Sequence, residues 1–251
     1  MISSVKGQVH LELLFENNYK SQISYIKFNK TYSILVLGYE SGEIRLLRIY
    51  ITEKSYITNN LVDEIACIRA CKKSIVDVEI DFTTGYVFSV SSDNFLVLSE
   101  YNYQTVIKTL NISSEKLTTL LYNQENQLLI LADSLGSLYF YNVSNPINPI
   151  RLQSIHKQFS GINYINLLYK EKNLLIGCKT GELYIFKVRL SRDGMHMEQE
   201  NIITIENGIN IVKATKTKNY YILGLDNGSI AIYNLENRYP ECKNNKIYIY
   251  I

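Results

Sequence analysis

One plan recurs five times along this chain, at a spacing of about 40 to 50 residues, and a period of that size belongs to propellers and stacked arrays. The five stretches are ISYIKFNKTYSILVLGYESGEIRLLRIY, VDVEIDFTTGYVFSVSSDNFLVLSEYN, LTTLLYNQENQLLILADSLGSLYFYNVS, INYINLLYKEKNLLIGCKTGELYIFKV and NIVKATKTKNYYILGLDNGSIAIYNLEN, beginning near Ser24, Val76, Leu117, Ile162 and Asn210. Each reads as a β-rich run, a polar turn, a second and almost wholly apolar run, a short turn, and a third run that alternates. The turn between the second and third runs sets the register. Gly42, Asn94, Gly136, Gly181 and Gly228 hold equivalent places there, 52, 42, 45 and 47 residues apart. Glycine, or asparagine as its nearest substitute, supplies the positive φ that a two-residue hairpin turn needs, so turn chemistry and period agree.

A fourth β-like run follows each triplet: DEIACIRACKK, TVIKTLNIS, IRLQSIHK, ENIITIEN and finally KIYIYI. Four antiparallel strands make one propeller blade. The second runs, residues 34–37, 87–90, 128–132, 174–176 and 221–223, are apolar at nearly every position, as in a strand covered on both faces. The sequence therefore predicts an all-β propeller of five four-stranded blades, at about 23–72, 73–113, 114–158, 159–207 and 208–251, after an N-terminal segment 1–22. In that segment QVHLELLFE, residues 8 to 16, reads as an orphan outer strand. KIYIYI already fills the place it would take in the last blade. The expectation is a ring that is open or incomplete, or one completed by a second chain. Arg189 to Glu200, the longest insertion, reads as a flexible surface loop.

The chain's 251 residues, 46% hydrophobic and 20% charged, suit a single domain of this repeat-built kind. Lys and Arg number 26 against 24 Asp and Glu, a formal charge of +2, which gives no field for holding nucleic acid. No apolar run approaches the roughly 18 residues of a membrane span, and the first 20 residues lack a leader pattern, so a soluble cytoplasmic protein is expected. Cys67, Cys71, Cys178, Cys242, His10, His156 and His196 stand without CxxC, HxxxH or HExxH spacing, and neither metal nor cofactor is expected. Cys67 and Cys71 read as sharing one face of a strand, about 13 Å apart and too far for a disulfide. Asn29, Asn111, Asn142 and Asn227 open Asn-x-Ser/Thr triplets, which are glycan acceptors only in a secreted chain.

By pattern, about nine-tenths of the chain resembles the WD40-repeat family. That family ends each third strand on Trp-Asp; here the place holds Leu47-Arg48, Ser99-Glu100, Tyr141-Asn142, Phe186-Lys187 and Tyr233-Asn234, and the family's Gly-His pair is absent. A narrower likeness, through GYESGEIRLL and GLDNGSIAIYNLENRYPEC, is to the propeller part of WD-repeat proteins that carry a FYVE zinc finger. The finger's CxxC pairs are missing, so nothing about zinc or FYVE-dependent lipid recognition carries over.

No GxSxG, GxxxxGK[ST] or paired acidic motif occurs, and the chain is expected to be non-catalytic. Lys27, Asp77 and Lys213 on first strands are the residues that an enzyme built around a propeller channel would draw on. LDNGS, residues 225 to 229, reads as a hairpin turn and not as a phosphate loop. Lys213, Lys216 and Lys218 beside Tyr220 and Tyr221 form a basic-aromatic stretch, equally a solvated hairpin. LSRDG, residues 190 to 194, is not the Phe-Arg-Arg-Gly loop of phosphoinositide-binding propellers. The expected function is a scaffold for protein partners, with a phosphoinositide-binding trafficking adaptor at the membrane periphery as the alternative; the oligomeric state is left open. Candidate contacts are Tyr39, Glu40, Lys73, Phe159, Lys179 and Asp226, on the rim formed by the turns into third strands and the links into first strands. Tyr39 and Phe159 lead that set as exposed aromatics.

Overall fold

The computed structural model describes residues 19–50, 62–168, 173–191, 194–214, 220–234 and 247–249. Five antiparallel sheets, each a four-strand meander, follow one another along the chain. Blade 1 holds β1 (Ile23–Asn29), β2 (Ile34–Tyr39), β3 (Glu43–Ile49) and β4 (Val62–Arg69). Blade 2 holds β5 (Ile75–Asp81), β6 (Tyr86–Ser91), β7 (Phe95–Glu100) and β8 (Thr105–Asn111). Blade 3 is β9 (Leu117–Asn123), β10 (Leu128–Asp133), β11 (Leu138–Asn142) and β12 (Ile150–Ile155). Blade 4 is β13 (Ile162–Leu168), β14 (Asn173–Cys178), β15 (Glu182–Ser191) and β16 (Gly194–Thr204). Blade 5 is β17 (Ile209–Ala214), β18 (Tyr220–Leu225), β19 (Ile230–Asn234) and β20 (Ile247–Ile249). Successive first strands lie beside one another, so the sheets fan out as a five-bladed propeller whose ring is not closed by hydrogen bonds. No described residue is helical. The candidate orphan strand, residues 8 to 16, lies outside the described residues, as do His10 and Cys242.

The repeat is written in hydrogen bonds as well as in sequence. The amides of Gly42, Asn94, Gly136, Gly181 and Gly228 donate to the carbonyls of Tyr39, Ser91, Asp133, Cys178 and Leu225, three residues earlier in every blade. Their φ values run from 72° to 94°, while the two residues before each keep negative φ. This corrects the two-residue turn expected above. The loop has three residues, a type I turn followed by a left-handed residue that forms a bulge, and the left-handed residue is the last of the three.

Side chains in three of the four Asn-x-Ser/Thr triplets serve as turn devices. The Asn29 carboxamide oxygen accepts from the amides of Thr31 and Tyr32, Asn142 from the amide and hydroxyl of Ser144, and Asn227 from those of Ser229. LDNGS is thus a hairpin turn, as read.

Further readings need correction. Residues 189–191 and 194–200 are not a loop: β15 and β16 pair from Glu182↔Thr204 to Ser191↔Gly194. Val188 and Met195 are buried there, an apolar signal too sparse among polar residues to read as strand. Cys71 is not on a strand, because β4 ends at Arg69; its thiol donates to the carbonyl of Lys73. The third strands β3, β7 and β11 are mostly buried on both sides, not alternately, because each sheet lies between two others. Exposed and half-buried positions fall on outer strands such as β8 and β12.

Each interior seam inserts the leading face of one blade into the trailing face of the blade before it. Val78, Leu120, Ile165 and Val212 hold one register position on β5, β9, β13 and β17, and are between 0% and 3% exposed. Val78 packs among Val36, Ile44 and Leu46 of blade 1; Leu120 among Phe88, Leu96 and Leu98 of blade 2. Ile165 and Val212 do the same against blades 3 and 4. Second-strand glycines make room for the incoming strand: a Cβ on Gly38 would stand 2.6 Å from Cγ2 of Ile75, and one on Gly177 would stand 2.8 Å from Cγ2 of Ile209. Between blades 5 and 1 no hydrophobic cluster forms among the described residues. There the register equivalent of Val78 is Ile26, which is 64% exposed.

Candidate interaction surface

The turns into third strands meet the links into first strands at one end of the propeller. In each blade the residue after the second strand donates its amide to a link carbonyl: Glu40 to Gln22, Ser92 to Ser74, Ser134 to Lys116, Lys179 to Gly161, and Asp226 to Gly208, at 2.8–2.9 Å. Three of the sequence candidates, Glu40, Lys179 and Asp226, are therefore the same position in blades 1, 4 and 5. All three side chains are exposed, as is Lys73 on the link into blade 2. The Lys179 ammonium reaches the carbonyl of Ser134 at 3.4 Å, crossing from blade 4 to blade 3.

The two aromatic candidates are not exposed. Tyr39 is 1% exposed, covered edge-on by Tyr19 with ring centroids 4.8 Å apart. The Arg45 guanidinium lies 3.9 Å over the Tyr19 ring and bonds Glu64 at 2.8 Å, and the Tyr19 hydroxyl donates to Glu43. Burial pushes the Tyr39 hydroxyl's pKa upward against the opposing pull of Arg45. Phe159 is 6% exposed, edge-on to Tyr184 and Phe186. Leu135, in the turn after β10, is an apolar side chain exposed on this rim, at 41%.

Asp133, overlooked in the sequence, holds the blade 3 rim together. It is fully buried; one oxygen accepts from the amides of Leu135 (3.0 Å) and Ser137 (2.9 Å), the other from the hydroxyls of Tyr139 (2.7 Å) and Ser113 (3.4 Å). One carboxylate thus ties the turn, the link and the third strand. Its visible signal is a charge ending an otherwise apolar second strand, where the other blades have Tyr39, Ser91, Cys178 and Leu225. Asp133→Ala leaves two buried donors, the Ser137 amide and the Tyr139 hydroxyl, without this acceptor and is expected to cost about 3 kcal/mol of unfolding free energy, with Asp133→Asn costing less; urea midpoints check both.

At the inner strands the structure gathers Lys27, Asp77, Glu79 and Tyr25. Lys27 pairs with Glu79 at 2.5 Å across blades 1 and 2. Asp77 accepts from the Thr119 hydroxyl and the Leu120 amide, both at 2.9 Å, in blade 3, and the Tyr25 hydroxyl donates to the carbonyl of Val78 at 2.9 Å. Burial raises the pKa of both carboxyls, opposed at Asp77 chiefly by the Leu120 and Thr119 hydrogen bonds and at Glu79 by Lys27. These groups stitch neighbouring first strands together. Lys213 meets the Tyr164 hydroxyl at 3.0 Å and its charge also acts on Glu79, while Tyr221 is buried between blades 4 and 5, so the basic-aromatic stretch is not assembled by these two. Lys216 and Lys218 lie outside the described residues. No group of three metal-ligating side chains stands together among the described residues.

Fold and rim together define a five-bladed β-propeller. No protein-family model and no curated protein matches the chain. Among solved structures it is similar to the computationally designed Ika8 protein, with a TM-score of 0.63 and 12% identity, covering 86% of this chain and 59% of that one. The chain thus spans 59% of that structure's length, and the likeness concerns the fold alone.

Proposed function

We propose that this chain is a non-catalytic, WD40-like scaffold that holds protein partners on its rim. The observation that supports the reading is the fivefold bracing of turns to links, which fixes Glu40, Lys73, Leu135, Lys179 and Asp226 on a rigid frame with their side chains in solvent. Loops held by a rigid scaffold are where binding residues concentrate. Both signs of charge share this rim with an exposed leucine, a mixture that suits a protein surface. Affinity capture from the lysate of its own cells, with wild type beside a Leu135→Asp/Lys179→Glu double variant, tests it. The reading predicts specific proteins that are retained by wild type and lost by the variant. If none depends on the rim while phosphoinositide vesicles retain the chain, the trafficking adaptor replaces the scaffold.

A further inference from the structure

Among the described residues the chain carries both halves of a blade seam, and no apolar cluster joins them. On β1, Ile23 and Ile26 are 54% and 64% exposed, although their register equivalents on the other first strands are buried against a preceding blade. Phe28 is exposed as well. On the far side of blade 5, Ile222, Ile230 and Ile232 are only half-buried, although their equivalents in the four other blades are buried against the blade that follows. Gly224 stands where Gly38 and Gly177 receive an isoleucine from the next blade. The only described atom within 4 Å of a Cβ placed there is Cγ2 of Ile211, in its own blade.

We propose that these two surfaces join two copies of the chain head to tail, β1 of one copy seating Ile23 and Ile26 on the Gly224 face of blade 5 in another. The fit is repeated inside the molecule four times over, with the same isoleucine-and-glycine notch at the blade 1–2 and blade 4–5 seams. A second copy is the occupant because the strand that matches the open face of blade 5 belongs to this sequence. Such a contact is heterologous, so each copy keeps one free half unless the assembly closes. The surface is distinct from the rim, and the inference stands whether or not the rim binds partners.

Sedimentation of the purified chain across a range of concentrations, beside Ile26→Lys and Ile232→Lys, tests this. Wild type is expected to sediment as dimers or larger species, and each variant alone to be cut back to monomer. An equal mixture of the two variants retains one intact pair of halves and is expected to recover a dimer and nothing larger. Ile26→Lys alters an exposed side chain, and an unchanged β-type circular dichroism spectrum shows that the fold survives. A wild type that stays monomeric, with the seam closed on itself or filled by another protein, overturns the proposal. So does association that ignores both variants, or a mixture that remains monomeric.

Discussion

Gly136→Ala should destabilise the fold by about 4 kcal/mol, while Gly228→Ala, at the equivalent turn of blade 5, should cost only about 1 to 2 kcal/mol. Both glycines sit in the left-handed region, at φ 87° and 81°, so both substitutions carry the same backbone penalty. What differs is the space. A Cβ on Gly136 would stand 1.9 Å from the carbonyl oxygen of Phe159, whereas no described atom lies within 4 Å of one on Gly228. The Phe159 amide also donates to the Gly136 carbonyl, at 3.3 Å, so the clash cannot relax without moving the link that seats Phe159 in the blade 3–4 core. Chemical unfolding of both variants beside wild type gives the two numbers. Equal losses would mean that backbone conformation alone, and not the close approach of turn and link, makes glycine necessary at residue 136.

The contrast between these turns shows what a single sequence carries. Period and turn chemistry located all five third-strand turns and the four-strand plan, because positive φ restricts residue type locally and leaves a visible mark. Side-chain cover is not local. Tyr39 reads as a rim aromatic, yet Tyr19, twenty residues earlier, lies over it with Arg45, and neither neighbour is marked by the repeat. Phe159 follows a polar link and reads as exposed, but it turns inward onto Tyr184 and Phe186 of β15. Charged candidates fared differently for the same reason. Glu40, Lys179 and Asp226 occupy a position whose backbone is already engaged, so solvent is the cheapest place for their side chains. The Asp133 network stayed hidden because its partners come from three separate segments, and Ser113 and Tyr139 look ordinary where they stand.

The open seam was legible only as a counting problem, an orphan strand with no place in the last blade. In the structure it takes a sharper form, as five register-equivalent residues of which four are buried. A lysine at each of those positions is therefore the most direct test of the account. Val78→Lys, Leu120→Lys, Ile165→Lys and Val212→Lys would each force an ammonium into an apolar seam and should lose at least about 4 kcal/mol, enough to unfold a marginally stable domain. Ile26→Lys should stay within about 0.5 kcal/mol of wild type, as surface substitutions do. Measured by urea unfolding at low protein concentration, so that association does not contribute, this pattern of four severe losses and one neutral change is the predicted result. An Ile26→Lys loss as large as the other four would contradict it, by showing that blade 5 packs against blade 1 and that the ring is closed.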